Sequence, residues 1–337
     1  MARLVLHIGT HKTGTTTVQN ALHANREALA AHGVLYPDLS PHTGHHGFLT
    51  DWIALPAAYR KLGGGKAGLA RIADELRGTD TCLLLSSEEM SRAGGAGGRV
   101  DYRELRGIFD GFDILVLCVV REQGQFLQSV YAEICRSRVP PRPPELLRTA
   151  LETGLVDGLH CDFAALHRSL RTVFAAEELR FFDYADACAA PGGVLGTLLR
   201  HVAPDLTERD LTAGHGARAN VSPRALALWA ALAVAGCGAP DARLQASAET
   251  AFALEFGEST PTCIFTRAEL ARLERHFAPS NLEFARAVSR VQPGFAFGQH
   301  EPPPGTIHRE DVGPDYFARL ARRLWIGVAA DHARAGA

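Results

Sequence analysis

The stretch LVLHIGTHKTGTTTVQNAL, residues 4 to 22, runs from an apolar segment through a glycine-bounded loop into a helical pattern. Arg3 to Ile8 reads as a buried strand. Thr16 to Ala31 reads as a helix with Val18, Ala21, Leu22 and Leu29 on one face. A strand, a loop and a helix in that order aim backbone N–H groups and the positive end of the helix at an anion. The loop, Gly9-Thr10-His11-Lys12-Thr13-Gly14-Thr15-Thr16-Thr17, nearly fits the nucleotide-binding consensus G-x-x-x-x-G-K-S/T. Thr15 stands where that consensus has its lysine, and Lys12 lies within the loop instead. A lysine so placed sits over a bond leaving a 5′-phosphate, while Thr15, Thr16 and Thr17 supply hydroxyl and amide donors. The expected ligand is one phosphate bearing a transferable group, not a triphosphate with magnesium.

Working outward, CLLLSS (82–87) and DILVLCVV (113–120) are two further aliphatic strands, and LRFFDY (179–184) is a fourth. Helical patterns flank the third strand, at 102–109 and 124–136. Near-continuous aliphatic strands between helices indicate a parallel sheet covered on both faces. The expected class is α/β, a three-layer, phosphate-loop-like fold with a central parallel sheet and a helix-rich C-terminal half. GGAGG (94–98) and VPPRPPE (139–145) read as loops. The longest uncharged stretch, ALALWAALAVAGCGAP (225–240), is shorter than the ~20 apolar residues of a membrane span and reads as a buried helix. Ser222 and Pro223 before it suit an N-cap and a first helical position. HEPPPG (300–305) divides a main domain, 1–295, from a tail, 296–337, whose helical pattern resumes at 316–329.

The chain has 337 residues, 46% apolar and 21% charged, which suits one large globular domain or two small ones. A net charge of -2 provides no global field for nucleic acid, so any anion needs a local site. The seven cysteines are scattered and form no Cys-x-x-Cys pair, which argues against a zinc site or a disulfide framework. That usage and the absence of a leader-like N-terminus point to the cytoplasm.

The segment HKTGTTTVQ resembles the 5′-phosphosulfate loop of the sulfotransferases, typically P-K-T/S-G-T/S-T, with His11 where proline is common. LHIGTHKTGTT resembles a bacterial branch of that superfamily. The resemblance implies 3′-phosphoadenosine 5′-phosphosulfate (PAPS) as donor, with residues 10 to 17 around its 5′ end and no metal. It also implies a 3′-phosphate site made of an arginine and, eight residues on, a serine. VVREQGQFLQSVYAEI supplies Arg121 at the end of a strand and Ser129 about two turns into a helix. The family's frequent R-D-P-R is here Arg121-Glu122-Gln123-Gly124, without the second arginine.

Related enzymes carry a histidine or glutamate base at the end of the middle strand. In LLLSSEEMSR that position is Glu88; Glu89 fits a helix-start turn, and Ser87 is a weaker donor contact. The segment SPHTGHHGF holds His42, His45 and His46 without an acidic or cysteine partner at ligand spacing. It reads as an acceptor-binding loop or as a solvated polar loop, with His46 as the alternative base. Asn220 and Ser222 resemble an Asn-x-Ser element of the bacterial branch. Residues 272–288 resemble a closing segment in which an aromatic-Pro-x-Asn turn ends the domain. The implied activity is sulfuryl transfer to a hydroxyl or amine of a small-molecule, carbohydrate or lipid acceptor. A nucleotide-dependent kinase or hydrolase and a non-catalytic nucleotide-binding protein are the alternatives.

Overall fold

The computed structural model describes residues 1–38, 42–60, 64–94, 98–136, 138–211, 224–236, 238–298 and 301–335. In chain order the elements begin with β1 (Arg3–His7), α1 (Thr15–Ala24), α2 (Arg26–Ala31), β2 (Val34–Leu35), α3 (Gly65–Leu76) and β3 (Cys82–Ser86). A short 3-10 turn, Glu88–Ser91, precedes α4 (Tyr102–Ile108) and β4 (Asp113–Val120). Then come α5 (Gln123–Ile134), α6 (Pro143–Thr153), the hairpin β5 (Leu155–Val156) and β6 (Leu159–His160), α7 (Phe163–Arg171) and β7 (Leu179–Asp183). The remainder is α8 (Tyr184–Ala189), α9 (Gly193–Val202), α10 (Ala225–Ala235), α11 (Ala242–Phe256), β8 (Thr262–Cys263), α12 (Arg267–Ser289), β9 (Ile307–His308) and α13 (Pro314–Ala335).

Two compact units interleave along the sequence. The first is Met1–Glu122, Thr153–Ala219 and Phe277–Gly298; the second is Gln123–Glu152, Asn220–His276 and Gln299–Ala337. The first unit is an α/β fold with a five-stranded sheet in the order β2-β3-β1-β4-β7, every pair parallel. Strand alternation divides its side chains cleanly. Leu4, Leu6, Leu83, Leu85 and Val116 face one core with Leu69, Leu105, Phe163 and Leu170. Val5, Leu84, Leu115, Leu117 and Val119 face the other with Val18, Leu22, Leu29 and Leu198. Both faces are covered, so the strands carry apolar residues at nearly every position. At the outer edge of β7, Gln292 accepts the N–H of Phe181 (3.1 Å) and donates to its carbonyl (2.7 Å).

The strands fall where the aliphatic runs place them, with β4 at 113–120. Four local features depart from the sequence reading. The helix expected over 16–31 is two helices, broken at Asn25, whose side-chain amide donates to the Ala21 carbonyl at 2.7 Å and competes with continued winding. A fifth strand, β2, joins the edge of β3 with only two residues. Within the supposed loop 139–145, α6 begins at Pro143, where a missing N–H costs a helix nothing. The expected turn around Pro279 is instead interior to α12, which runs unbroken from Arg267 to Ser289. Asn220, Ser222 and Pro223 lie outside the described residues.

The second unit gathers α10, α11 and α13 around Leu226, Ala230, Ala248, Ala251, Phe252, Tyr316 and Leu320. Small residues let the helices approach closely, and the buried Tyr316 hydroxyl donates to the Ala248 carbonyl at 3.0 Å. Arg224 pairs with Glu249, and Arg309 donates to both carboxylate oxygens of Glu269 at 2.7 and 2.8 Å. Gln128 on α5 brackets the β8 strand, donating to Thr262 and accepting from the Ile264 N–H. Among the described residues no helix is long and apolar enough to cross a membrane. The six described cysteines are free, and only Cys188 is exposed.

Candidate active site

With β1 between β3 and β4, the segments after these three strands gather at one edge of the sheet, where open parallel sheets bind ligands. The loop after β1 is anchored to β4: Ile8 N–H donates to Leu117, Thr10 N–H to Val119, and Val119 N–H back to Gly9. It then turns through left-handed backbone at Gly9 (φ 78), Lys12 (φ 63) and Gly14 (φ 80). Lys12 is one of two described non-glycine residues with positive φ, a conformation held against its steric cost by the anchored loop.

The five loop threonines divide by role. Thr13 Oγ1 donates to the Thr10 carbonyl at 2.5 Å and fixes the turn. Thr10 is buried, and its hydroxyl has no hydrogen-bond partner among the described residues. Thr16 and Thr17 open α1 with exposed side chains. A buried hydroxyl without a partner beside a helix N-terminus is a polar group shaped for a ligand. Thr15, the first residue of α1, is buried.

After β3, Ser87 starts the 3-10 turn that carries both glutamates. Glu88 Oε2 accepts the Gln19 side-chain amide at 2.8 Å and lies 4.0 Å from His46 Nε2. Burial alone would push the Glu88 carboxyl up, but His46, His11 and the Gln19 hydrogen bond outweigh it, and the group sits below its ordinary range. It is therefore a carboxylate near neutral pH. His46 is buried, which lowers its pKa against the pull of Glu88. Its Nδ1 is 2.7 Å from Ser87 Oγ. We assign the proton to Nε2, facing the carboxylate, so that Nδ1 accepts from the serine.

Glu89 has other partners. Its Oε1 is 3.2 Å from His11 Nε2 and its Oε2 is 3.4 Å from Arg92 Nη1. Burial pushes its carboxyl up, and His11 and Arg92 bring it below the ordinary range. His45 is a structural bracket: Nε2 meets the Pro37 carbonyl at 2.8 Å and Nδ1 accepts the Ser86 N–H at 2.9 Å. With both nitrogens engaged, it is not available to a metal alongside His42 and His46. Among the described residues, no group of three or more His, Cys, Asp or Glu side chains stands together as a metal site.

After β4, the Arg121 guanidinium donates to the Lys12 carbonyl at 3.1 Å and stacks 4.8 Å over the Tyr184 ring. A cation thus backs the turn that carries Lys12. Ser129 lies on α5, in the second unit.

Three contributors escaped sequence reasoning. Gln19 is buried on α1 against Gly44, where a Cβ would lie 2.6 Å from its Oε1. Tyr184 supports Arg121. Tyr59 packs its ring edge-on to His46 at 5.3 Å and tilted on His42 at 4.5 Å. Gln19 had a signal, a polar residue next to Val18 in the helix's apolar stripe; the tyrosines had none.

No protein-family model matches the sequence, and no curated protein matches it. Among solved structures, the chain is similar to the crystal structure of a sulfotransferase from Alicyclobacillus acidocaldarius, with a TM-score of 0.44 and 14% identity, over 84% of this chain and 94% of that one.

Proposed function

We propose that this protein is a sulfotransferase that moves the sulfuryl group of PAPS to a hydroxyl or amine. The observation that carries this reading is the loop after β1: a left-handed Lys12 between two left-handed glycines, the buried Thr10 hydroxyl, and the helix start at Thr15–Thr17. Those residues fit a single phosphosulfate end. When bound, PAPS supplies an activated sulfuryl group on its 5′-phosphate. The chain's own groups do the rest. Thr10, Thr16, Thr17 and the amides that open α1 hold the 5′ end. Thr13 and Gly14 set the turn, and His11 braces it against Glu89. Lys12 stabilises charge on the leaving phosphate oxygen. By its place in the family motif, Arg121 is assigned the 3′-phosphate.

Glu88 takes the acceptor's proton as its oxygen or nitrogen attacks sulfur. The ionised carboxylate, with His46 behind it and Gln19 fixing one oxygen, supports that role over His46 and over Glu89, whose oxygens face His11 and Arg92. The lysine of a triphosphate loop is replaced by Thr15, which disfavours the kinase reading.

The test is calorimetric titration with 3′-phosphoadenosine 5′-phosphate (PAP), ATP and AMP. Tighter binding of PAP than of both others is expected; equal or tighter ATP binding overturns the proposal.

A further inference from the structure

Beside the phosphate loop's neighbours, the first unit contains a cavity of about 700 Å³. Its volume suits a small organic ligand. Arg92, Arg99 and Arg103 line it, with Tyr102, His160 and Thr172. Arginines outnumber carboxylates in the lining, three to one. The carboxylate at its wall, Asp101, is engaged by backbone, accepting the N–H groups of Arg103 and Glu104 as the cap of α4. His160 adds a buried Nδ1 that no described residue hydrogen-bonds. Burial also lowers its pKa to about 4, so the ring is neutral and keeps one donor and one acceptor.

Arg92 belongs to this cavity and to the catalytic edge at once. Its Nη2 is fixed on the Asp157 carbonyl at 2.8 Å, and its Nη1 faces Glu89, the residue after Glu88. The cavity wall is therefore one residue from the proposed base.

We infer that this cavity receives the anionic group of the acceptor, so that the substrate is an acidic small molecule carrying a carboxylate, sulfate or phosphate. Planar guanidinium forks match the paired oxygens of such groups; Arg99 and Arg103 present two of them to one space, while Arg92, held on Glu89 and Asp157, forms part of the wall. The inference rests on the sulfotransferase reading for the word acceptor; the anion site itself rests on the cavity.

The experiment titrates the PAP-saturated protein calorimetrically with citrate, and with glycerol as a neutral polyol. Arg99 and Arg103 are exposed, so R99E/R103E reverses the cavity's charge without opening the core. R286E/R290E makes the same charge change at exposed positions on and just after α12. Saturable citrate binding is expected, weakened at least tenfold in R99E/R103E, within twofold of the parent in R286E/R290E, and without a glycerol counterpart. PAP affinity should stay within twofold in all variants. Absence of saturable citrate binding, equal loss in both double variants, or glycerol binding as tight as citrate overturns the site. If PAP fails to bind while the citrate results hold, the donor reading falls and the anion site stands.

Discussion

At residue 9 a methyl group would lie 2.8 Å from Glu88 Cβ, in backbone at φ 78 that only glycine adopts easily. Gly9 therefore serves two strands, turning the loop after β1 and leaving room for Glu88, the proposed base, after β3. Gly9→Ala should lower stability by about 1–3 kcal/mol and weaken PAP binding, read by urea titration and calorimetry. Glu88→Gln keeps the shape and removes the charge. It should cut turnover by about 10²–10⁴ with PAP affinity unchanged, whereas Glu89→Gln should fall by less than tenfold. Equal losses in the two would move the base elsewhere. The loop's residue types were legible because glycines, a lysine and threonines at close spacing have few other uses. The partners of Glu88 were not, because Gln19 and His46 come from 69 and 42 positions upstream in sequence and meet it only through the sheet.

Elements were legible where burial on both faces makes a strand aliphatic throughout, as in β4. They were illegible where a single side chain decides. Asn25 splits one periodic pattern into two helices, Pro143 starts a helix inside a proline-rich run, and the two residues of β2 carry no period at all. The start of α4 gives a prediction at this scale. Asp101 accepts two backbone N–H groups there and also contributes the acidic side of the basic cavity. Asp101→Ala should cost about 1 kcal/mol through loss of the cap. Asp101→Asn keeps an acceptor at the cap and removes the charge, so citrate should bind the Asn variant more tightly than the parent by calorimetry.

For the whole molecule, pH acts through buried histidines. His7 and His45 are each 1% exposed, and burial lowers both to about 4 from the ordinary 6.5. Between those values the unfolded chain binds protons that the folded chain refuses. Stability is thus full above pH 6.5 and falls as pH drops toward 4, by an amount on the order of 3 kcal/mol per histidine. The urea midpoint should decline over that window, and His7→Gln should flatten the decline; an unchanged slope would remove His7 from the account.

The Gln292 amide on the rim of β7 has one more consequence. An open strand rim is a template on which another molecule's backbone can register, and long β-rich rims are where fibres begin. By imitating a neighbouring strand at Phe181, this side chain interrupts the template with its own amide. Gln292→Leu leaves the buried Phe181 N–H and carbonyl without partners, so it should lower stability by about 1–3 kcal/mol and make concentrated samples scatter light on gentle warming.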